Sequence, residues 1–247
     1  MEQSINIMVN KIKSILNDNE PSILLYGSVV HDDFKLGWSD IDFICLTSKA
    51  LYDEQANELV DLRQTLLENH PENLHFKLFE GVIMTLEAFI NNTDDTIIYW
   101  GTSGRRIIKN WRMCPFGKME LLENGKLLCG SDFRHLISYP TRQEIVTAIK
   151  DHYRTIRQHG KSGNGWFLDI ARCLYTIKTN KIITKTKAGE WALQENICPD
   201  ISIMEKIIKI RKNPLEFNNE ETKQWQNTLG EHIQKFADIL KAELRCH

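Results

Sequence analysis

The sequence lacks the features that mark several large classes of protein. None of its apolar runs approaches the roughly eighteen residues of a membrane-spanning helix. Residues 1–19 lack the basic start and the small-residue cleavage site of a signal peptide. The six cysteines include no Cys-x-x-Cys pair, which argues against a zinc site or a disulfide framework, and the formal charge of −2 argues against a nucleic-acid partner. We therefore expect a cytoplasmic protein with reduced thiols that acts without a membrane or a nucleic acid.

What the sequence does contain is the composition of an ordinary globular protein that is long enough for two modest domains. Of its 247 residues, 42% are hydrophobic and 26% are charged. Runs with the length and β-branched content of strands occupy residues 22–26, 41–47 and 76–86. Apolar residues recur at helical spacing before the first run and between the second and third. This alternation predicts an α/β domain, with residues 127–130 as a short edge strand.

Beyond residue 140 the pattern becomes helical. Thr141 and Glu144 have the spacing of a capping box at the start of a helix. Apolar residues at helical spacing predict further helices over residues 166–178, 187–194, 202–210 and 219–244. The sequence thus predicts an α+β fold, with an α/β domain over residues 1–138 and an all-helical domain over residues 139–247.

The most informative pattern joins the first two predicted strands. Gly27 and Ser28 follow the first apolar run, and Asp40 and Asp42 open the second. Two carboxylates at positions i and i+2 of a strand point to the same face, roughly 6 to 7 Å apart, so they can hold one divalent cation or share two. A Gly-Ser turn offers backbone N–H groups and a hydroxyl to a phosphate. A metal site close to a phosphate site is what nucleotidyl transfer requires.

Each half of this pattern also has an ordinary explanation. A Gly-Ser pair is common in hairpin turns, and an Asp-x-Asp sequence is common at solvated strand ends. The combination is more specific. A strand, Gly27-Ser28, a polar loop and an Asp40-Ile41-Asp42 sequence that enters a second strand resemble the signature of the nucleotidyltransferase superfamily. This resemblance implies a polymerase-beta-like fold for the first domain.

Glu80 is the candidate for a third carboxylate. It lies in the third predicted strand among apolar residues, where a carboxylate is costly to bury without a partner such as a cation. In the superfamily that the first motif resembles, the third acidic residue lies on this strand. We therefore predict that Glu80 is the general base for the acceptor hydroxyl. The alternative is an outward-facing glutamate on an edge strand.

The second half of the chain resembles a narrower family. Residues 167–193 look like the helical domain of aminoglycoside adenylyltransferases of the streptomycin and spectinomycin class. In that family a Leu-x-x-x-Arg sequence precedes Thr-Gly-Lys-Ile-x-x-Lys and then Trp-Ala; the matching residues here include Leu168, Arg172, Lys185 and Trp191. The similarity spans the whole chain and is weak between residues 87 and 140.

The resemblance implies a role for each candidate residue. Asp40 and Asp42 would bind magnesium, with two ions expected, and Glu80 would be the base. The phosphates of ATP would be contacted by Gly27, Ser28, Arg172 and Lys185. A developing pyrophosphate leaving group needs cations beyond magnesium, which agrees with the two basic residues.

The basic residues also have alternative explanations. Arg172 could form a structural ion pair with Asp169 or Glu190. Lys181 could take the place assigned to Lys185, because both lie in one short basic segment, and either could be an ordinary solvated lysine. The residues alone do not decide between these readings.

The sequence departs from the family in the region that binds the drug. Residues 161–164 lack the acidic residue with which the family holds its cationic drug, so the usual streptomycin contact is not expected here. Trp100 roughly matches an aromatic residue that can stack on the drug, with ordinary packing as the alternative. Trp38, in the loop before the two aspartates, is a second candidate for a residue that lines the drug-binding site. Trp38 and Trp100 are therefore the predicted substrate contacts.

Together these features predict a magnesium-dependent aminoglycoside adenylyltransferase. The expected reaction transfers AMP from ATP to a hydroxyl of spectinomycin or streptomycin, releases pyrophosphate and gives drug resistance. We expect a monomer. The alternatives are a nucleotidyltransferase with a protein or RNA acceptor, as in toxin–antitoxin enzymes, and a helical interaction module on an inactive core. Three intact carboxylates argue against the inactive core.

Overall fold

The structure is a computed structural model, and it describes residues 1–101 and 104–246. The chain forms two compact units. The sheet unit comprises Met1–Asp32 and Ser39–Tyr139, and the helical unit comprises Asp33–Trp38 together with the chain from Pro140 onward. The helical unit is therefore discontinuous in sequence, because it includes the segment that separates Gly27-Ser28 from the two aspartates.

The sheet unit is built on one mixed sheet. Its described strands are β1 Ser22–Tyr26, β2 Ile41–Thr47, β3 Phe79–Thr85, β4 Ile97–Gly101, β5 Gly104–Ile108 and β6 Lys126–Cys129. They lie in the order β5-β4-β3-β2-β1-β6. Only the β2–β3 pair is parallel among the strand pairs of the described residues, and the other pairs are antiparallel. The central strands β1 and β2 are almost wholly buried, which fits their continuous apolar runs.

Four helices complete the described part of the sheet unit: α1 Glu2–Ile15, α2 Asp53–Asn69, α3 Leu86–Asn91 and α4 Pro115–Asn124. Helix α2 makes the crossover that a parallel pair of strands requires, here between β2 and β3. The predicted third strand begins later than expected. Residues Phe76–Leu78 form a 3₁₀ turn, and the ladder with β2 starts only at Phe79.

The helical unit contains the remaining helices of the described chain: α5 Arg142–His159, α6 Gly165–Thr179, α7 Lys185–Gln194, α8 Ile201–Lys212, α9 Glu220–Asn227 and α10 Gly230–Leu244. The predicted capping box is confirmed at the start of α5. Thr141 Oγ1 accepts a hydrogen bond from the Glu144 backbone N–H, and Glu144 Oε2 accepts one from the Thr141 N–H. The structure thus confirms the predicted α+β fold with a helical second half.

The prediction of one helix over residues 219–244 was wrong. Helices α9 and α10 are separate, and the Thr228 hydroxyl donates to the Trp225 carbonyl where α9 ends. Gly230 then begins α10 with its Cα close to the backbone of Lys161. A Cβ at this position would lie 2.5 Å from the Lys161 carbonyl oxygen, so the packing here requires glycine. The apolar spacing continues through the break, which is why it was not visible in the sequence.

Within the residues that the structure describes, the helices are too short or too polar to cross a membrane. All six cysteines are free thiols, and three of them, Cys45, Cys173 and Cys198, are buried. Burial raises the pKa of the Cys173 thiol to about 12, so this thiol stays protonated at neutral pH.

Candidate active site

The sheet brings the three predicted carboxylates together. Asp42 in β2 is paired in register with Tyr26 of β1 on one side and with Glu80 of β3 on the other. Asp40 lies two residues before Asp42, immediately ahead of β2. Because directly paired residues of neighbouring strands project to the same face of a sheet, the register places Glu80 beside Asp42. All three acidic side chains are half-buried.

Glu80 is the most perturbed of these acids. Its pKa is raised first by burial and then by the negative charge of Asp40, while Arg63 acts in the opposite direction. Glu80 and Asp40 are also hydrogen-bonded to each other, which raises the pKa of Glu80 further. Arg63 is held in place because its Nη1 donates to the Phe79 carbonyl at 2.9 Å. A carboxyl group with a raised pKa next to an acidic partner has the properties of a general base.

The Gly-Ser turn lies against this acidic group. Gly27 begins a single 3₁₀ turn, Gly27–Val30, directly after β1. Its φ of +72° is in the left-handed region, and a Cβ there would lie 2.4 Å from Asp42 Oδ2. Only glycine permits both the turn and the close approach of the Asp42 carboxylate. The predicted phosphate site and the predicted metal ligand are therefore adjacent.

A second contact near this turn was not predicted. His31 follows the turn, and its Nε2 lies 2.6 Å from Oε2 of the buried Glu120 on α4. Asn124, one helical turn further along α4, donates to the same Glu120 oxygen at 3.4 Å. These contacts link the end of the Gly27–Val30 turn to α4. His31 and Glu120 are 89 positions apart in the sequence, so no local signal could have revealed the pair.

The donors at this end of the sheet fit a hard divalent cation. Within the described residues, no group of three or more His, Cys, Asp or Glu side chains has the arrangement of a complete metal site. The chemistry of the donors nevertheless suits magnesium, which prefers carboxylate oxygens and usually needs only one or two of them from the protein. The negative charge of Asp40 beside Glu80 raises the pKa of Glu80, so compensation of this charge by a cation would be favourable. A cation held by Asp40 and Asp42 would supply it.

The helical unit holds a second charged group, centred on Asp169 of α6. Lys185 Nζ lies 2.9 Å and Arg172 Nη2 lies 3.5 Å from the same carboxylate oxygen, Oδ1. His152 Nε2 of α5 lies 4.0 Å from Oδ2. Burial alone would raise the pKa of Asp169, but Lys185 and Arg172 outweigh it and hold the pKa below its ordinary value. Burial lowers the pKa of His152, so at neutral pH this imidazole is uncharged.

This arrangement decides between some of the predicted alternatives. The structural ion pair of Arg172 is formed with Asp169, and not with Glu190, which pairs with Lys212 at 2.6 Å. Lys185 is partly buried and paired, whereas Lys181 is exposed. Lys185 is therefore the lysine that accompanies Arg172.

The two tryptophans lie in different surroundings. The Trp100 side chain is 1% exposed, its indole Nε1 donates to the Leu59 carbonyl at 3.1 Å, and its ring centroid is 5.3 Å from that of Phe43. The assignment of Trp100 to substrate binding was therefore wrong, and the packing alternative is right. Trp38 is partly buried, and the Arg211 guanidinium lies 5.4 Å from its ring centroid. Its role in substrate binding stays a prediction.

Sequence reasoning also missed a buried ion pair in the helical unit. Arg211 of α8 donates to Asp33 Oδ2 at 2.8 Å, and both side chains are almost fully buried. The Thr186 hydroxyl donates to Asp33 Oδ1 at 2.6 Å and accepts from Arg211 Nε at 3.0 Å. The pair fixes segment Asp33–Trp38 to α7 and α8. Its partners are 178 residues apart, and no local pattern connects them.

A cavity of about 580 Å³ lies at the opposite end of the sheet. Its walls include Ser22, where β1 begins, and Thr47, where β2 ends. The carboxylates and the Gly27 turn lie at the other end of these strands. None of the predicted site residues lines this cavity, so it is distinct from the candidate active site.

Comparison with known proteins supports the family resemblance. Residues 136–243 match the family model described as "Aminoglycoside adenylyltransferase, C-terminal domain". No curated protein sequence gives a significant match to the chain. Among solved structures, the chain is similar to spectinomycin adenyltransferase AAD(9) from Enterococcus faecialis, determined with ATP and spectinomycin. The two share 19% sequence identity with a TM-score of 0.63, over 98% of this chain and 99% of that one, which shows a common fold.

Proposed function

We propose that the chain transfers AMP from ATP to a hydroxyl of an aminoglycoside antibiotic, because residues 136–243 match the C-terminal-domain model of aminoglycoside adenylyltransferases. Spectinomycin and streptomycin are the proposed acceptors. The observation that carries the proposal is the strand register that places Glu80 beside Asp42, within hydrogen-bonding reach of Asp40 and next to the Gly27 turn. These residues lie outside residues 136–243, so the register supports the proposal independently of the family match.

The proposed roles follow from the surroundings of each residue. Asp40 and Asp42 would hold Mg²⁺, which when bound neutralises phosphate charge and orients the phosphates. Gly27 and Ser28 lack bulky side chains, so the backbone can approach the phosphates closely. Glu80 Oε takes the proton from the acceptor hydroxyl, whose oxygen then attacks the α-phosphorus in line. The bond from the α-phosphorus to the bridging oxygen breaks, and pyrophosphate leaves.

Lys185 and Arg172 are proposed to bind the phosphates of the nucleotide. Both cations are partly exposed, with 30% and 25% of their side-chain surface accessible, and both point to one place on the helical unit. Negative charge grows on pyrophosphate as it departs, and charged donors stabilise it. The acceptor is an amino sugar, so its positive charges suit the acidic residues around Asp42.

A pyrophosphate-release assay tests this function. Purified protein, ATP and Mg²⁺ are incubated with spectinomycin, streptomycin, kanamycin or a lincosamide, and pyrophosphate is quantified. We expect release with spectinomycin, with streptomycin or with both, and AMP attached to the drug by mass spectrometry. Release with kanamycin or the lincosamide alone would retain the chemistry but contradict the proposed acceptors. If no compound causes pyrophosphate release although ATP–Mg²⁺ still binds, the proposal is contradicted and a protein or RNA acceptor is favoured.

A further inference from the structure

A buried acid lies beneath the two cations of the helical unit. The side chain of Asp169 is 12% exposed, less than half the exposure of Arg172 or Lys185. Asp169 and Arg172 are three residues apart on α6, and Lys185 is the first residue of α7. Both cations lie within 3.5 Å of the same oxygen, Asp169 Oδ1, so the carboxylate holds their charged ends at one point.

The cluster brings two cations to one acid. Lys185 and Arg172 both contact the Asp169 carboxylate, and the nearby His152 is uncharged at neutral pH because burial lowers its pKa. The cationic side chains are the more exposed parts of the cluster, so an anion can approach them from the solvent. Two like charges at this distance repel each other, and the carboxylate between them lowers that repulsion.

We propose that Asp169 is a positioning residue that holds Lys185 and Arg172 together for the phosphate groups of the nucleotide. This inference rests on the proposed function, because it assumes that the anion bound by the two cations is the triphosphate of ATP. Asp169 itself does not touch the nucleotide. Its charge lowers the repulsion between the cations, and its contact limits the rotamers of the long Lys185 side chain before the anion arrives.

Simple electrostatics and positioning predict opposite results for one substitution. Asp169→Asn removes a negative charge and preserves the size of the side chain. If Asp169 only competed with phosphate for the cations, its removal would tighten anion binding. If Asp169 positions the cations, its removal separates Lys185 from Arg172 and weakens anion binding. The direction of the change therefore decides between the two.

The experiment measures the binding of ATP–Mg²⁺ and of inorganic pyrophosphate by titration calorimetry. For Asp169→Asn we expect both dissociation constants to rise about tenfold, which corresponds to ~1.4 kcal/mol, with an unchanged KM for the aminoglycoside. The matched control is Asp238→Asn, which removes an exposed acid from the ion pair with Arg157 elsewhere on the helical unit. The control should bind both probes like the wild type. Unchanged or tighter binding by Asp169→Asn would overturn the proposal.

A double-mutant cycle separates positioning from a general loss of structure. On a Lys185→Ala background, Asp169→Asn should weaken pyrophosphate binding less than it does in the wild type, because half of the positioned pair is already absent. Equal effects on both backgrounds would contradict the inference. If Asp169→Asn does not fold, pyrophosphate binding is measured on Asp169→Glu instead, because this variant keeps the charge but displaces the carboxylate. Weaker pyrophosphate binding at an unchanged melting temperature would then support positioning, and unchanged binding would contradict it.

The same data distinguish the failure of this inference from the failure of the proposed function. Lys185→Ala is measured first with both probes. If it binds ATP–Mg²⁺ as tightly as the wild type, the assignment of Lys185 to the phosphates fails, and the inference about Asp169 fails with it. If Lys185→Ala binds more weakly but Asp169→Asn does not, the proposed function stands and only the inference is refuted.

Discussion

Glu80 and Asp42 are neighbours on adjacent strands, yet their surroundings suit them to different tasks. Burial and the charge of Asp40 raise the pKa of Glu80, which favours a group that accepts and releases protons. Asp42 packs against the Cα of Gly27, so its carboxylate lies directly beside the turn that follows β1. Two carboxyl groups in one small region can thus act as a base and as a metal ligand, because their environments differ.

The first prediction separates these two tasks. Glu80→Gln preserves the size of the side chain but cannot accept a proton, so we expect kcat to fall about 10²- to 10⁴-fold while ATP–Mg²⁺ binding is retained. Asp42→Ala should lose turnover and also the magnesium-dependent part of ATP binding, because a ligand of the cation is absent. Pyrophosphate release and titration calorimetry measure the two effects. Normal turnover in Glu80→Gln would exclude its role as the base.

The predicted site residues that the sheet brings together share one property: their neighbours are close in the chain or in adjacent strands. The pattern of Gly27, Asp40 and Asp42 is local, and the register of a β–α–β crossover brings Glu80 to them. The prediction that Trp100 contacts the substrate was wrong because the environment of Trp100 depends on tertiary contacts. These contacts are with Leu59 of α2 and Phe43 of β2, and no local pattern specifies them. A tryptophan in a strand can be core or binding surface, and only the tertiary packing decides.

At the scale of an element, the turn after β1 depends on one glycine. Gly27 combines a positive φ with a Cβ position that the Asp42 carboxylate already occupies. Gly104, at the start of β5, also has a positive φ, +105°, but an added Cβ there would meet no atom of the described, non-adjacent residues within 4 Å. The two glycines share the backbone requirement and differ in the neighbouring carboxylate, so they form a matched pair.

The second prediction uses this pair. Gly27→Ala and Gly104→Ala should each destabilise the protein by about 1–2 kcal/mol, because an L-residue is strained at positive φ. Only Gly27→Ala should also lose activity, by at least about tenfold, since its methyl group displaces Asp42. Urea unfolding and pyrophosphate release measure the two quantities. Equal losses of activity in the two variants would show that backbone strain, and not the Asp42 contact, is responsible.

Element boundaries were predictable where short-range chemistry sets them. The bounds of β1 and β2 and the start of α5 agree with the sequence pattern, because apolar runs and a capping box define them locally. The break between α9 and α10 was not predictable. It arises where Gly230 meets the backbone of Lys161, a contact between positions far apart in the chain, while the apolar spacing continues without interruption.

At the scale of the whole molecule, the path of the chain is the least predictable feature. The segment Asp33–Trp38 lies between the two halves of the nucleotidyltransferase-like motif in sequence, yet it belongs to the helical unit. Its anchor is the buried Asp33–Arg211 pair with Thr186. Burial raises the pKa of Asp33, but the hydrogen bonds from Arg211 and Thr186 outweigh this effect and hold the pKa below its ordinary value. Asp33 is therefore ionised at neutral pH and stabilises the fold through its charge.

The last prediction concerns this anchor. Asp33→Asn should lower the free energy of unfolding at pH 7 by about 3 kcal/mol, because it leaves the buried Arg211 charge without its partner. A carboxylate whose pKa is lower in the folded state stabilises the protein above its unfolded-state pKa of about 4. That contribution is lost as the pH falls through the folded-state value. The difference between wild type and Asp33→Asn should therefore shrink below pH 4, as measured by urea unfolding at a series of pH values.

Two variants show whether the buried pair, and not the loss of any acid, causes this effect. Glu190→Gln removes one partner of an exposed ion pair with Lys212 and should change the free energy of unfolding by less than about 1 kcal/mol. Asp33→Leu combined with Arg211→Met removes both buried charges and should recover most of the stability that Asp33→Asn loses, since no buried charge is then unpaired. A difference between wild type and Asp33→Asn that stays constant down to pH 3 would contradict the role of the Asp33 charge. The segment before Asp40 would then be held by its apolar packing alone.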